Sequence, residues 1–299
     1  MDTSLDIGCR SCGATYHVPE RQRSVTCPYC DSPAVVERPS SDDRPDPAFV
    51  LPFVLDETSA RDRVQAWLKR AAGLFRPSGL ARAALGKTRS MYLPAWLYGA
   101  VADSAFRADI GEKYTKSDSN GHTTTYHEWH VLEGRRTVYL KDVLVSASAG
   151  LPNAELEAIE PYQLSSFQRY RPVLLAGWAA EDPSRSLDEC REEARQESLE
   201  RVNRELPGFL PGDRQRNLQH RTHLNEEVTD LVLLPIWIFA ARYHEKKPPV
   251  RIVVNGQTGE IHGKVPVSWP KVLAATIIGA GLLIALVLGL AWLDSQGGR

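Results

Sequence analysis

Net charge is what this chain most plainly lacks: 36 lysines and arginines stand against 37 aspartates and glutamates in 299 residues. No whole-molecule field exists to gather a polyanion. Cysteine is scarce as well, with five residues of which only Cys190 lies beyond position 30, so no disulfide network can staple the chain beyond its N-terminal segment. No apolar run long enough to cross a bilayer precedes Val272, which excludes a channel or transporter built from several spans. The serine-nucleophile elbow and the glycine-rich dinucleotide fingerprint are also missing, and nothing before Cys9 has the form of a secretory signal.

The cysteines that are present carry the strongest chemical signal. Cys9 and Cys12, then Cys27 and Cys30, form two Cys-x-x-Cys pairs. The residues between the pairs, Gly13 to Thr26, suffice for a hairpin that brings four thiolates to one tetrahedral site. Gly13 fits a knuckle whose amides approach sulfur, and Asp31 takes the equivalent place after the second pair. Zinc is the expected ion, although the same four ligands also suit a rubredoxin-like iron. Four thiolates leave no open position for water or substrate, so the ion is expected to be structural, serving as the core of a module too small to stabilise itself by burial. Two disulfides are the weaker alternative.

Val272 to Leu293 contains no charge and is polar only at Thr276. At about 1.5 Å per residue it reaches about 33 Å as a helix, against a hydrocarbon thickness of about 30 Å. Trp269 and Trp292 bracket the run at headgroup depth, and Lys271 marks its near boundary. Lys246, Lys247, Arg251, Lys264 and Lys271 precede it, whereas Asp294 and Arg299 follow. The positive-inside rule therefore predicts a single-pass anchor in the cytoplasmic (inner) membrane, with the N-terminal bulk in the cytoplasm. Gly281, Ala285 and Gly289 share one face of the run, with Ala275 and Gly279 on another, a spacing that permits a homo-oligomer through the membrane helix.

Between these ends, residues 37–48 are polar and proline-rich and read as a flexible tether. A strand over Phe49 to Leu55 and a helix from about Thr58 to Leu74 follow, the latter with Ala60, Val64, Trp67, Leu68 and Ala71 on one face. A short helix is expected over Leu80 to Leu85. Strands are expected over 92–107, 123–132, 136–146 and 172–180, with turns at Asn120-Gly121 and Glu133-Gly134. Ser186, with Glu189 three residues on, opens a helix to Leu206 that Pro207-Gly208 stops. Strands over 230–243, 250–254 and 260–263 close the body. Leu93-Pro94-Ala95-Trp96 and Leu234-Pro235-Ile236-Trp237 echo one another, as strands of a duplicated unit or as two strands with similar edge chemistry. The expected fold class is α+β: a small zinc ribbon (1–36), a linker (37–48), a mainly antiparallel β body with a few helices (49–270), a transmembrane helix (271–293) and a short tail (294–299).

The order of the double Cys-x-x-Cys, Leu51-Pro52-Phe53, Tyr92-Leu93-Pro94-Ala95-Trp96, Leu234-Pro235-Ile236-Trp237, Val254-Asn255-Gly256-Gln257-Thr258-Gly259 and the Trp269-led anchor resembles bacterial membrane-anchored zinc-ribbon proteins. These are often labelled TFIIB-type zinc ribbon-containing or primosomal helicase-like. The resemblance covers nearly the whole chain. Some such proteins are similar to partners of SPFH-domain (flotillin-like) and phage-shock-protein-A-like proteins in membrane-stress systems, so the resemblance implies a setting and a protein partner. It supplies no catalytic residues, and Ala95 stands where a bulkier aromatic is the pattern.

Enzymatic readings fare poorly on the residues. Ala81 to Thr88 matches a loosened phosphate-binding loop, but Gly86 is placed to end a helix, where carbonyls repel phosphate. His122, His127 and His130 with Glu128 lack a metal-protease spacing. His220, His223 and Glu227 could share a helix face, yet a solvated polar face explains them more simply. Nucleic-acid binding is the principal alternative, because zinc ribbons serve transcription and replication. Against it, residues 1–36 carry Arg10, Arg21 and Arg23 against Asp2, Asp6, Glu20 and Asp31, not the concentrated positive field that phosphates require. The basic series Arg61, Arg63, Lys69, Arg70, Arg76 and Arg82 suits anionic lipid equally well. The expected role is a non-enzymatic adaptor that recruits or organises proteins at the membrane face.

Overall fold

The computed structural model describes residues 4–9, 11–19, 22–27, 30, 32–35, 45–117 and 123–297. Its elements run β1 (Ser4–Gly8), β2 (Thr15–Pro19), β3 (Gln22–Thr26), β4 (Pro33–Val35), β5 (Phe49–Val50), α1 (Glu57–Ala71), β6 (Ala84–Leu85), β7 (Arg89–Ser117) and β8 (Thr123–Ser146). Then come α2 (Asn153–Glu157), β9 (Gln168–Arg169), β10 (Ala179–Glu181), α3 (Leu187–Phe209), β11 (Arg214–Arg242), β12 (Val250–Asn255), β13 (Ile261–Gly263) and α4 (Trp269–Gly297). The α+β class stands. The chain divides into two compact units, one of Met1–Pro52, Met91–Glu157 and Tyr162–Pro235, the other of Phe53–Ser90, Ala158–Pro161 and Ile236–Arg299. Residues of the ribbon fall within the first unit, and residues 49–270 are shared between the two.

In the first unit β7 is the central strand. It pairs antiparallel with β8 along one edge and with β11 along the other. Strands of 29, 24 and 29 residues far exceed the usual length of about 3–10. Length is sustained by strict alternation: Trp96, Tyr98, Ala100, Ala102, Phe106, Ala108 and Ile110 are buried, while Asp103, Ala105 and Arg107 face solvent. Helix α3 covers the buried face. Its buried Cys190, Ala194, Ser198, Val202 and Leu206 recur every four residues, and the apolar four pack into three successive clusters, from Trp96 and Val143 through Leu140 to Phe106 and Ile110. Burying each large aliphatic or aromatic side chain there contributes about 1.5–3 kcal/mol. Ser186 caps α3 by accepting from the Glu189 amide at 3.3 Å. Pro207 does not stop the helix, which runs on to Phe209.

Three local expectations change. Glu133-Gly134 is no turn but lies inside β8, opposite Arg107 and Phe106. The Phe106 ring covers Gly134 so closely that an added Cβ would meet it at 2.8 Å, an aromatic shielding a glycine across the strands. Strand β11 begins at Arg214 rather than Asp230 because two bulges, at Arg216/Gln219 and Asn225/Val228, interrupt its alternation. Asn217 and Glu226 take positive φ of 55° and 50° there. The expected strand 172–180 is a 3-10 turn over Pro172–Leu175 followed by the short β10. The Asn120-Gly121 turn and most of the expected linker, residues 37–44, lie outside the described residues.

The paired Leu-Pro motifs meet across one ladder, with Pro94 opposite Leu233 and Pro235 opposite Tyr92. Neither is at a sheet edge in the ordinary sense. Pro94 stands where β7 leaves β8 at Ala95 and takes β10 at Tyr92; Pro235 stands where β11 leaves β5 at Leu233 and takes β12 at Ile236. A missing amide costs little where the strand is between partners.

In the second unit, Asp56 caps α1 by accepting from the Ser59 amide at 2.8 Å. Ala60, Val64 and Leu68 form the helix's buried stripe. The end of β11 pairs with β12, and β12 with β13. The turn between them is held by Asn255, whose side-chain Oδ1 accepts from the Gln257 and Thr258 amides at 2.8 and 3.0 Å, and Gly259 closes it at φ 82°. Leu80–Arg82 is one 3-10 turn, not a helix to Leu85. Gly86 therefore caps nothing: its N–H donates to the Ala240 carbonyl at 3.0 Å.

Candidate metal centre

Each Cys-x-x-Cys pair sits on a loop that leaves a strand, the first after β1 and the second after β3. The first loop is a tight knuckle in which Gly13 donates to the Cys9 carbonyl and Cys9 to the Ala14 carbonyl, both at 2.8 Å. Gly13 holds φ 75° with no atom near where a Cβ would stand, as a left-handed corner requires. The Cys27 amide reaches the Ser32 carbonyl at 2.9 Å on the second loop. Cys9 and Cys27 are buried with Val18, against Ile7 and Val25.

These loops converge four sulfurs. All four Sγ atoms lie within 4.8 Å of one another; Cys9 and Cys30 are 3.7 Å apart and Cys12 and Cys27 3.8 Å. A tetrahedron with metal–sulfur bonds of about 2.3 Å has edges of about 3.8 Å, so the observed spacing fits a thiolate-bound ion. The same distances are far above the about 2.05 Å of a disulfide, and all five cysteines are free. The four cysteines can hold a metal ion such as zinc. They are the one group among the described residues arranged to do so.

The electrostatics agree. The Ser32 hydroxyl lies 3.3 Å from Cys9 Sγ and 3.0 Å from Cys30 Sγ. Ser32, followed by backbone amides, lowers Cys9 to about 6 and also lowers Cys30. At Cys12 the Ala14 amide pulls downward, but Cys30, desolvation, Cys9 and Cys27 together prevail and raise the thiol to about 12. Crowded sulfurs cannot all ionise unaided; a divalent cation removes that penalty. Ser32 carries no sequence signal of its own, being one small polar residue after the second pair.

What the ribbon rests on was not legible in its own sequence. Strand β3 pairs antiparallel with β10, which pairs parallel with β7. Arg23, 1% exposed, forms an ion pair with Asp182, which is 5% exposed, and another with Asp46 at 3.2 Å. It also donates to the Pro45 carbonyl, as Ser24 does to that of Trp178. Through β3, the ribbon is seated on the sheet.

No protein-family model and no solved structure matches the chain. It is similar to the uncharacterized protein YdjG of Bacillus subtilis (strain 168). The two are 26% identical over 245 residues, covering 81% of this chain and 70% of YdjG.

The remaining sequence candidates separate. His220 and His223 lie on strand β11, opposite Phe106 and Asp103 respectively, and so point to opposite faces. Glu227 is engaged elsewhere: Arg195 grips it from Nε and a terminal nitrogen at 2.7 and 3.0 Å, and the Tyr98 hydroxyl donates to it at 2.8 Å. Arg195 first, with Tyr98, holds its carboxyl below the usual range, although desolvation opposes them. Residues 81–88 form a 3-10 turn and β6 and lead into β7, with no helix after Lys87 to present amides to phosphate. Cys190 is fully buried, and burial pushes its thiol up to about 11.

At the other end, α4 is long and apolar enough to span a membrane: Trp269–Leu288 forms a candidate span none of which is buried. Trp269 is 75% exposed at its start. Lys271 does not simply point to solvent, since its Nζ donates to the Arg76 carbonyl at 2.9 Å. Trp292 lies on the same helix, beyond the last side chain described.

Proposed function

We propose that this chain is a non-enzymatic, membrane-anchored zinc-ribbon adaptor that organises partner proteins at the cytoplasmic face of the inner membrane. The observation that carries the reading is the closed cluster of Cys9, Cys12, Cys27 and Cys30 on a ribbon seated in a sheet, in a chain that also carries an apolar helix with no buried residue in its Trp269–Leu288 span. Zinc is the ion best suited to four thiolates at this spacing, and its role is to hold the two knuckles together. The excess of lysine and arginine before α4 supports a cytoplasmic body by the positive-inside rule. The resemblance to membrane-stress systems supports an SPFH-domain or phage-shock-protein-A-like partner.

The test is gentle detergent extraction of the full chain from its native membrane, followed by identification of co-purifying proteins and metal analysis. A stoichiometric partner lost on Cys27→Ser, with one zinc per chain, is the expected result. A chain that extracts alone, or that shifts nucleic acid in a salt-sensitive gel assay, would overturn the adaptor reading in favour of a solitary or nucleic-acid-binding ribbon.

A further inference from the structure

The two units differ in charge as sharply as the whole chain is neutral. The second unit carries 15 basic and 7 acidic residues, a net +8, and the first carries 21 and 30, a net −9. Within the second unit the positive charge is concentrated: from Arg63 to Lys87 there are six basic residues and no acidic one. Lys69 and Arg70, in the last turn of α1, are exposed.

The loop that follows is built onto the start of α4. The Ser268 amide donates to the Phe75 carbonyl at 2.8 Å, the Arg76 guanidinium to the Val265 carbonyl at 2.6 Å, and Lys271 Nζ to the Arg76 carbonyl at 2.9 Å. Three hydrogen bonds thus fix the loop beside the residues from which the apolar helix rises. The loop's own side chains contradict a purely aqueous setting. Leu74 is 75% exposed and Phe75 44%, next to a helix start where Val267 is 47% and Trp269 75% exposed. Large apolar groups turned outward, rimmed by lysine and arginine and held at the end of a candidate span, match the chemistry of a bilayer interface.

We propose that residues 72–76 form a second membrane contact, in which Leu74 and Phe75 enter the headgroup region while Lys69 and Arg70 bind the phosphates of anionic phospholipids. This rests on the reading of α4 as a membrane span. The span alone leaves the second unit free to turn about one axis; the loop adds a second fixed point and sets which face of α1 meets the lipid. Each basic residue near an anionic surface contributes about 1 kcal/mol, a factor of about 5 in occupancy.

The test uses the full chain in vesicles of equimolar phosphatidylcholine and phosphatidylglycerol, with an environment-sensitive fluorescent amino acid at Phe75 or at Leu283. Brominated lipids should quench both probes, the one at Phe75 by roughly half, as befits a group about 5–10 Å into the interface. In phosphatidylcholine alone, or after Lys69→Gln with Arg70→Gln, quenching at Phe75 should weaken sharply while that at Leu283 persists. Quenching at Leu283 but not at Phe75 would overturn the loop contact and leave the span standing. Quenching at neither would overturn the span reading and the contact with it. Quenching at Phe75 that ignores lipid charge and both substitutions would overturn the anionic-headgroup chemistry.

Discussion

Replacing Arg23 by methionine isolates the energetics of the ribbon's seat. The substitution keeps most of the side-chain volume but removes the cation that faces Asp182 and Asp46. The Asp182 side chain is only 5% exposed, so its carboxylate cannot recover hydration while β3 stays in place. Breaking a buried ion pair from one side costs about 3–5 kcal/mol, and that cost falls on the seam between β3 and β10. It should raise the open fraction of that seam by about 10²–4 × 10³-fold, since about 1.4 kcal/mol is one decade. Hydrogen exchange of the amides where β3 meets β10, around Ser24 and Ala180, measures the seam, and chelator-accessible metal reports whether the centre opens with it. Exchange at β3 should accelerate by that factor while the amides of β7 and β8 stay protected. Arg23→Met combined with Asp182→Leu, which removes both charges, should recover much of the loss. If the single substitution accelerated β3 exchange less than about tenfold, the buried pair would not be what seats the ribbon.

Other consequences follow from sites already described. Cys27→Ser should lose the bound metal, and acidification should release metal from the intact chain as thiolates are reprotonated; metal analysis after dialysis across pH checks both. Burial first, then Glu157 and Glu193, raises Glu197 to about 7. The folded state therefore holds this proton more tightly than the unfolded one, a contribution complete below the ordinary carboxylate range and lost as pH rises to about 7. Glu197→Gln should remove that decline, raising neutral-pH stability by up to about 2 kcal/mol after screening, as read from denaturant midpoints against pH. Gly134→Ala should cost about 1–3 kcal/mol because its Cβ meets the Phe106 ring, and Phe106→Leu in the same chain should cost less than the sum of the two. Cys190 should resist alkylation until the protein is unfolded.

The helices were the most legible part of the fold, because their ends carry local chemistry. Ser186 bonds to the amide three residues ahead, and its spacing from Glu189 declares that cap, whereas Asp56 caps α1 in the same way without having been singled out from the sequence. The four-residue recurrence from Cys190 to Leu206 likewise identified the face of α3 that is buried. The long strands were only partly legible. A glycine reads as a turn unless the ring that covers it is known, and Phe106 lies 28 positions before Gly134. Residues 214–229 alternate poorly because two bulges shift their phase, so His220, His223 and Glu227 look like a helix face when they belong to a strand. The four cysteines declared the metal centre without help from elsewhere. Its support did not, since Asp46 and Asp182 meet Arg23 only when strands distant in sequence have paired.

The length of the central strand also sets an order of events during synthesis. Strands β7 and β8 are neighbours in sequence and can zip as one hairpin, whereas β11 joins β7 from more than a hundred residues away. Pairing across that distance is intrinsically slow. As the nascent chain emerges, the hairpin's apolar face from Trp96 to Ile110 is complete before α3 has been made to cover it, and β7's second edge waits longer still for β11. For that interval the protein presents a long hydrophobic hairpin with two open edges, a form prone to pairing with another chain. The vulnerable state of this molecule is its half-translated one, and a chaperone that holds the hairpin until residue 209 has emerged would protect it most.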